Sequence, residues 1–558
     1  FSALTIVMVV AVMASLFVSL TFVPMMGSRF FKREEDRLKM HQYTERLLVW
    51  LEQSYKNILS WSLFNRKKVI AAAILLLVLT LTGFRFIGTE LTPEPDTGDI
   101  SITFTLSEGI RIEKTEELLK EIMAYAEKTV PEATNIFAYD GRDEKGYAVA
   151  VGQEAGPNVG TVGLKLVEKK KRERSAFEVA NELRNWLQTK PGIEKMTVVV
   201  TSPIKAMLLG SKPLNIEVYG DNLDHVVETA NMIKNSLVKI PGAVDVTLSQ
   251  KQNRPEVWAQ TLRTYYYGYE TDESYWEGDD DYPIRVRLNT DERNSREVLN
   301  RLMVPNVNGK LIRLSTVAQL NDTVGPPEIQ RKNKQRYVVV EANVHGRSLG
   351  QLTQDAKVAI EKMNIPQDIR IDFGGEVEEK DKAFRQMGYL VLLGVLLVYM
   401  VMAGQYEAYL DPFVIMFSIP FALTGVAFAY LLTGMYLSLQ ALLGVIMLVG
   451  IVVNNAIVLV DYINLLRARG VKLRDSLLEA GERRLRPVLM TTLTTFFGML
   501  PMAISQDQGA ELWRPLAVSV MGGLLISTIV TLVIVPVIYS LFEEKLRRKK
   551  RFAEAEEV

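Results

Sequence analysis

Leu443-Gly-Val-Ile-Met-Leu-Val-Gly-Ile-Val-Val-Asn-Asn-Ala-Ile-Val-Leu-Val-Asp-Tyr462 is uncharged until Asp461, and its only earlier polar side chains are Asn454 and Asn455. At 1.5 Å per residue such a run crosses a hydrocarbon layer of about 30 Å, so it reads as a membrane helix with two amides near its middle. Six further stretches are long and apolar enough to span: Ser2 to Met26, Val69 to Ile87, Met387 to Ala403, Phe413 to Leu432, Pro487 to Ile504 and Leu516 to Leu541. The quoted run extends to Leu437, making a seventh.

Basic residues in short loops resist translocation and set orientation. Arg29, Lys32, Arg33, Arg66, Lys67 and Lys68 mark the loop after the first span as cytoplasmic. Arg467, Arg469, Lys472, Arg474, Arg483, Arg484 and Arg486 mark the loop before the sixth, and Lys545 to Arg551 mark the tail. All three agree, which leaves the charged block from Gly88 to Arg385 outside. Between the first two spans, Leu47, Leu51, Ile58 and Leu59 recur at helical spacing, with Trp50 and Trp61 nearby. Two readings stand: an amphipathic helix on the membrane surface, or a linker helix packed on the protein.

The 558 residues are 48% hydrophobic and 23% charged, with 65 basic against 65 acidic side chains and no cysteine. Zero net charge removes the basic field that nucleic-acid binding needs. Zero cysteine removes disulfides, thiol nucleophiles and thiolate metal sites. His41, His225 and His345 are too scattered to suggest a metal centre. No Walker loop, catalytic triad or metal-ligand spacing is present, so the chain does not read as an enzyme.

The first and last spans share Ser15-Leu-Phe-Val-Ser-Leu-Thr-Phe-Val-Pro24 and Ser527-Thr-Ile-Val-Thr-Leu-Val-Ile-Val-Pro536, at a constant offset of 512. With an odd span count, this predicts that six spans form one unit and that the first span closes an earlier copy. The start at Phe1, without methionine, then predicts a fragment of a protein of about 1,000 residues and twelve spans. The external block reads as two split β-α-β units. The first takes Ile100 to Leu106, Glu113 to Thr129, Asn135 to Tyr139, Thr161 to Val167, Ala176 to Thr189 and Lys195 to Thr201. The second takes Leu214 to Tyr219, Leu223 to Val238 and Ala243 to Ser249. It resumes at Arg336 to Asn343, Leu349 to Met363 and Ile369 to Phe373, after an insertion whose acidic run from Glu270 to Asp281 reads as a solvated loop.

The quoted run, Arg484-Leu-Arg-Pro-Val-Leu-Met-Thr-Thr-Leu493 and Gly498-Met-Leu-Pro501 resemble the last membrane helices of resistance-nodulation-division transporters, most of all the hydrophobe/amphiphile multidrug branch. The resemblance implies an α-helical polytopic fold, half of a duplicated twelve-span protein, with an α+β external block of two ferredoxin-like porter subdomains and a docking insertion. It divides the chain into residues 1–28, the last helix of the first repeat; 29–68, a cytoplasmic linker; and 69–87, the helix opening the second repeat. The porter subdomains become 88–212 and 213–249 with 328–385. The docking insertion is 250–327, the five-helix membrane bundle 386–542 and the cytoplasmic tail 543–558.

It further implies a homotrimer in the bacterial inner membrane, surrounded by lipid, that exchanges protons for lipophilic compounds. The proton gradient is the energy source, with no cofactor. In a diderm cell a periplasmic adaptor and an outer-membrane channel would be its partners, and the proton-binding aspartate pair would lie in an N-terminal half.

Asn454 and Asp461 share one helical face, as do Arg484 and Thr491. By resemblance Arg484 and Thr491 match relay residues, and Asn454 stands where well-studied members place a lysine. Asn454, Asn455, Arg484, Thr491 and Asp461 are therefore the expected proton-relay partners. Helix glue and backbone-bonded threonines are the alternative. Phe137-Ala-Tyr-Asp-Gly141 resembles the family's switch loop, making Phe137, Tyr139 and Gly141 the expected substrate contacts, against ordinary core for the two aromatics. A second departure is the direct junction of Arg254-Pro-Glu-Val257 with Trp258-Ala-Gln-Thr-Leu-Arg263, where family members place a further strand and helix. The 21 methionines admit a heavy-metal export reading, although most sit at packing positions in membrane helices. A non-pumping or split subunit is the other alternative.

Overall fold

The computed structural model describes residues 2–30, 39–107, 110–141, 156–201, 212–249, 268–278, 280–289, 298, 301–305, 310–317 and 330–556. The junction at Val257 and Trp258 lies outside them. Three helices come first: α1 (Ser2–Phe30), α2 (Lys39–Phe64) and α3 (Arg66–Phe84).

The first external unit joins β1 (Asp99–Leu106), α4 (Ile112–Thr129), β2 (Ala133–Gly141), β3 (Gly156–Leu166), α5 (Ala176–Gln188) and β4 (Ile193–Val199). Its sheet runs β2-β3-β1-β4, with all three pairings antiparallel, which is the split β-α-β arrangement. Alternation in β1 decides the faces: Ile100, Ile102 and Phe104 are fully buried, under Leu119 and Ile122 of α4 and Leu183 of α5. Ser101, Thr103 and Thr105 take the opposite face. A capping box, Ser175 with Glu178, starts α5.

The second unit repeats the plan with β5 (Leu214–Tyr219), α6 (Leu223–Leu237) and β6 (Ala243–Leu248). Within the insertion, β7 (Tyr269–Glu277) and β8 (Asp280–Val286) form an antiparallel hairpin, followed by β9 (Met303–Pro305) and β10 (Leu311–Arg313). The acidic run is thus a hairpin rather than a loop: cross-strand pairs such as Tyr275 with Tyr282 supply contacts that the charge count conceals. The unit then closes with β11 (Arg331–Lys332), β12 (Gln335–Val344), α7 (Leu349–Glu361) and β13 (Arg370–Gly374).

The remaining helices are α8 (Glu376–Tyr406), α9 (Leu410–Met416), α10 (Ser418–Thr433), α11 (Leu439–Ala468), α12 (Leu473–Ile504) and α13 (Arg514–Glu556). Among the described residues, six helices are long and apolar enough to cross a membrane, counting α9 and α10 as one. The seventh expected span forms α1, of which Met13–Ser28 registers as a shorter apolar helix. Pro420 explains the break at Phe417, since it cannot donate to the Met416 carbonyl. At the bundle centre a Cβ on Gly425 would stand 2.2 Å from the Gly522 carbonyl oxygen, so α10 and α13 approach at glycine.

One correction concerns Arg474, Arg483, Arg484 and Arg486, which lie on α12 and not in a loop. The helix begins at Leu473 because Leu477, Ala480 and Gly481 continue its buried face against α2. Two contacts join the α/β block to one end of the bundle. Residues 88–91 pair with the turn before α11, through Leu437 N–H to Gly88 O at 2.8 Å, Glu90 N–H to Leu437 O at 3.0 Å and Leu439 N–H to Leu91 O at 3.0 Å. The loop between α12 and α13 meets the first unit through Lys169–Glu511, Lys170–Asp507 and Gln508 Nε2 to Thr97 O at 2.6 Å. Helix α2 packs at the opposite end.

Candidate functional site

Helix α11 carries Asn454, Asn455 and Asp461, and α12 carries Arg484 and Thr491. The two amides diverge. Asn455 is buried, and its Oδ1 lies 3.2 Å from the Thr491 hydroxyl, which also reaches the Val488 carbonyl at 2.9 Å. One hydroxyl has one proton, so these are competing acceptors for it. Asn454 and Asp461 are exposed on another face of α11, with no contact to Thr491 in the described geometry.

Arg484 is half-buried. Its guanidinium sits 4.8 Å from the centre of the Tyr462 ring, a cation–π contact. Its Nε is buried without a hydrogen-bond partner among the described residues. The structure therefore brings Asn455 to Thr491 and Arg484 to Tyr462, and leaves Asn454 and Asp461 facing away. Thr495 bonds the Thr491 carbonyl at 2.9 Å, as the backbone-bonding alternative expects. Thr492 instead bonds Thr528 of α13 at 3.0 Å.

A second polar cluster escaped sequence reasoning. Asn464 donates to Asp411 at 2.8 Å and accepts from the Tyr539 hydroxyl at 2.6 Å, linking α9, α11 and α13. Asp411 stands beside Pro412 at the start of a span, and that position was its only available signal.

Phe137, Tyr139 and Gly141 belong to β2 rather than to a loop, because β2 pairs with β3 up to Gly141 and Gly156. Neither aromatic is core: Phe137 is 41% and Tyr139 46% exposed. Both stand on the side of the sheet away from α4 and α5, next to Thr103 and Thr161. Gly141 has φ +87°, a left-handed value that glycine adopts without strain.

Where the α/β block meets the bundle, burial pushes the Glu90 carboxyl up to about 7, with the charges of Glu94 and Glu376 adding to the rise. Among the described residues no group of three or more His, Asp or Glu side chains is placed to hold a metal ion.

The AcrB/AcrD/AcrF family matches residues 1–543. The cation efflux system protein CzcA of Alcaligenes sp. (strain CT14) is 29% identical over 574 residues, covering 98% of this chain and 53% of that protein. Protein HelA of Legionella pneumophila is 30% identical over 583 residues, covering 98% and 54%. Multidrug resistance protein MdtC of Yersinia enterocolitica serotype O:8 / biotype 1B (strain NCTC 13174 / 8081) is 26% identical, covering 98% and 54%. An X-ray crystal structure of a heavy metal efflux pump superposes with a TM-score of 0.77 at 26% identity, covering 89% of this chain and 53% of that one. The chain spans about half the length of the curated relatives it matches. Bundle, paired α/β units and family match agree: the chain belongs to the AcrB/AcrD/AcrF family of resistance-nodulation-division transporters.

Proposed function

We propose that this chain is the C-terminal half of a proton-driven efflux transporter of the bacterial inner membrane, exporting lipophilic or amphiphilic compounds. The observation that carries the reading is the polar surface of α11. Asn454 and Asp461 are exposed on a helix built to span, while Asn455 is tied inward to Thr491. Exposed polar groups in hydrocarbon are costly, so this face calls for a polar protein neighbour, and an N-terminal half bearing titratable carboxylates is one. In that arrangement Asn454 orients a protonated acid without titrating itself.

Phe137 and Tyr139, aromatic and half exposed beside threonines, suit adaptable contact with apolar substrates. The α/β block would face the periplasm and the trimer would engage an adaptor and an outer-membrane channel. The chain's own groups hold and pass protons, so no cofactor is invoked.

The names CzcA and heavy metal efflux pump favour a second reading, export of a divalent cation. Proteoliposomes containing the full-length transporter, under an imposed pH gradient, separate the two. Extrusion of ethidium but not of Zn2+, Co2+ or Cd2+ supports the first reading; the reverse supports the second. Ethidium and cation fluxes that ignore the pH gradient would sink proton coupling. Because the chain has no cysteine, a single cysteine at Asp221 also tests orientation. It should react with an impermeant thiol reagent in spheroplasts.

A further inference from the structure

Helix α13 contains Pro536, and a proline has no N–H to give to the carbonyl four residues earlier. That carbonyl belongs to Leu532. The Tyr55 hydroxyl donates to it at 2.8 Å, from α2, 477 residues away in sequence. Tyr55 is 8% exposed and passes between two helices on its way. On one side is Gly481 of α12, where an added Cβ would come within 2.7 Å of the Tyr55 hydroxyl oxygen, so only glycine admits the phenol. On the other side is the proline-bent segment of α13.

Two ion pairs flank Tyr55 along α2. Lys56 meets Glu482 at 2.7 Å, and Glu52 accepts from Arg486 twice, at 2.5 Å and 3.0 Å. Arg484 lies between Glu482 and Arg486 on α12, and Thr491 follows about two turns later. Thr528, one turn before Leu532, is bonded to Thr492. Helix α2 therefore grips α12 around Arg484 and grips α13 at its hydrogen-bond vacancy, at the end of the bundle opposite the α/β block.

We propose that Tyr55 is a positioning residue for coupling: it fills the donor vacancy that Pro536 creates and holds α12 and α13 in the register that places Thr491 against Asn455. The proposal rests on the proton-coupled reading above. A proline bend is a natural hinge, and a donor supplied by a third helix can be released when the hinge moves and recovered when it returns. An intrahelical N–H could not report on α2 in this way.

The test is a cycle of Tyr55→Phe and Pro536→Ala in the full-length transporter. Tyr55→Phe keeps the ring and removes the donor. Its turnover in proteoliposomes should fall about five- to tenfold with KM held within about twofold. Amide exchange in the 530–540 segment should rise, a readout that needs no transport and so separates this proposal from the substrate reading. Pro536→Ala returns an N–H to the Leu532 carbonyl, so in that background Tyr55→Phe should change exchange and turnover less than about twofold. Equal effects of Tyr55→Phe in both backgrounds would overturn the proposal, as would parental exchange in the single variant.

Discussion

The ring of Phe137 lies across the backbone of Gly163. The two residues are register partners on β2 and β3, and a Cβ on Gly163 would meet the ring at 2.3 Å. The glycine thus makes room for an aromatic that is held flat on the sheet yet remains half exposed. Gly163→Ala should displace the ring and destabilise the first unit by about 1–3 kcal/mol, read as a lower unfolding midpoint. Phe137→Ala should leave that midpoint within about 0.5 kcal/mol. If Phe137 contacts substrate, Phe137→Ala also raises KM for a lipophilic dye. An unchanged KM for a panel of dyes counts against the assignment.

The relay helices give a second prediction. Thr491→Val leaves the buried Asn455 Oδ1 without that donor, at a stability cost of about 1 kcal/mol. Asn454→Leu should cost little stability, because Asn454 makes no inward contact, yet it should lower turnover several-fold while trimers persist. Asn454→Lys should shift half-maximal efflux to lower pH, since an ammonium favours ionisation of neighbouring carboxylates. Efflux under an imposed pH gradient reads all three. A parental rate and profile in Asn454→Leu would reduce Asn454 to helix glue.

Between the two α/β units, Asp245 is fully buried and bonds Arg184 at 3.0 Å, the Val198 N–H at 3.2 Å and Asn343 at 2.9 Å. Its φ is +52°, a strained value that aspartate and asparagine tolerate better than most. Asp245→Ala strands the Arg184 charge and should cost about 3–5 kcal/mol. Asp245→Asn keeps the backbone preference and one acceptor, so it should cost less. Thermal unfolding followed by tryptophan fluorescence would order the two variants, and the opposite order would refute this account.

Glu90 predicts a pH dependence. Its carboxyl lies at about 7 when folded against 4.5 unfolded, so the native state binds the proton more tightly. Stability from this group is full below about pH 4.5 and is lost as pH rises through 7, by at most about 3 kcal/mol. Glu90→Gln should therefore raise the unfolding midpoint at pH 8 and leave it nearly unchanged at pH 4.5. Equal shifts at both values would remove the titration from the explanation.

Span lengths and strand alternation were legible because they are local: Leu214–Tyr219 is predicted and found with the same ends. The β7–β8 hairpin was not, since Glu270, Asp272 and Asp281 mask an aromatic pairing visible only across strands. The extension of α12 back to Leu473 hid behind its arginines, which are paired or packed there instead of marking a loop. Partners distant in sequence left no trace at all. Nothing around Tyr55 names Leu532, and nothing around Arg184 names Asp245. The amide pair was visible as a pair, but which amide turns inward depends on the rotation of α11, set by its neighbours.

The pairing of residues 88–91 with the turn before α11 has a consequence for biogenesis. Helix α3 leaves the ribosome some 350 residues before Leu437, the partner that fixes its outer end. At 5–20 residues per second, that is a wait on the order of half a minute. Throughout it α3 must stay in the lipid without its final neighbours, and its uniformly apolar sequence, with 6% of the span buried even in the finished fold, allows it to do so. Both α/β units are translated in the interval, before the strand at Thr89 can be claimed by the membrane bundle.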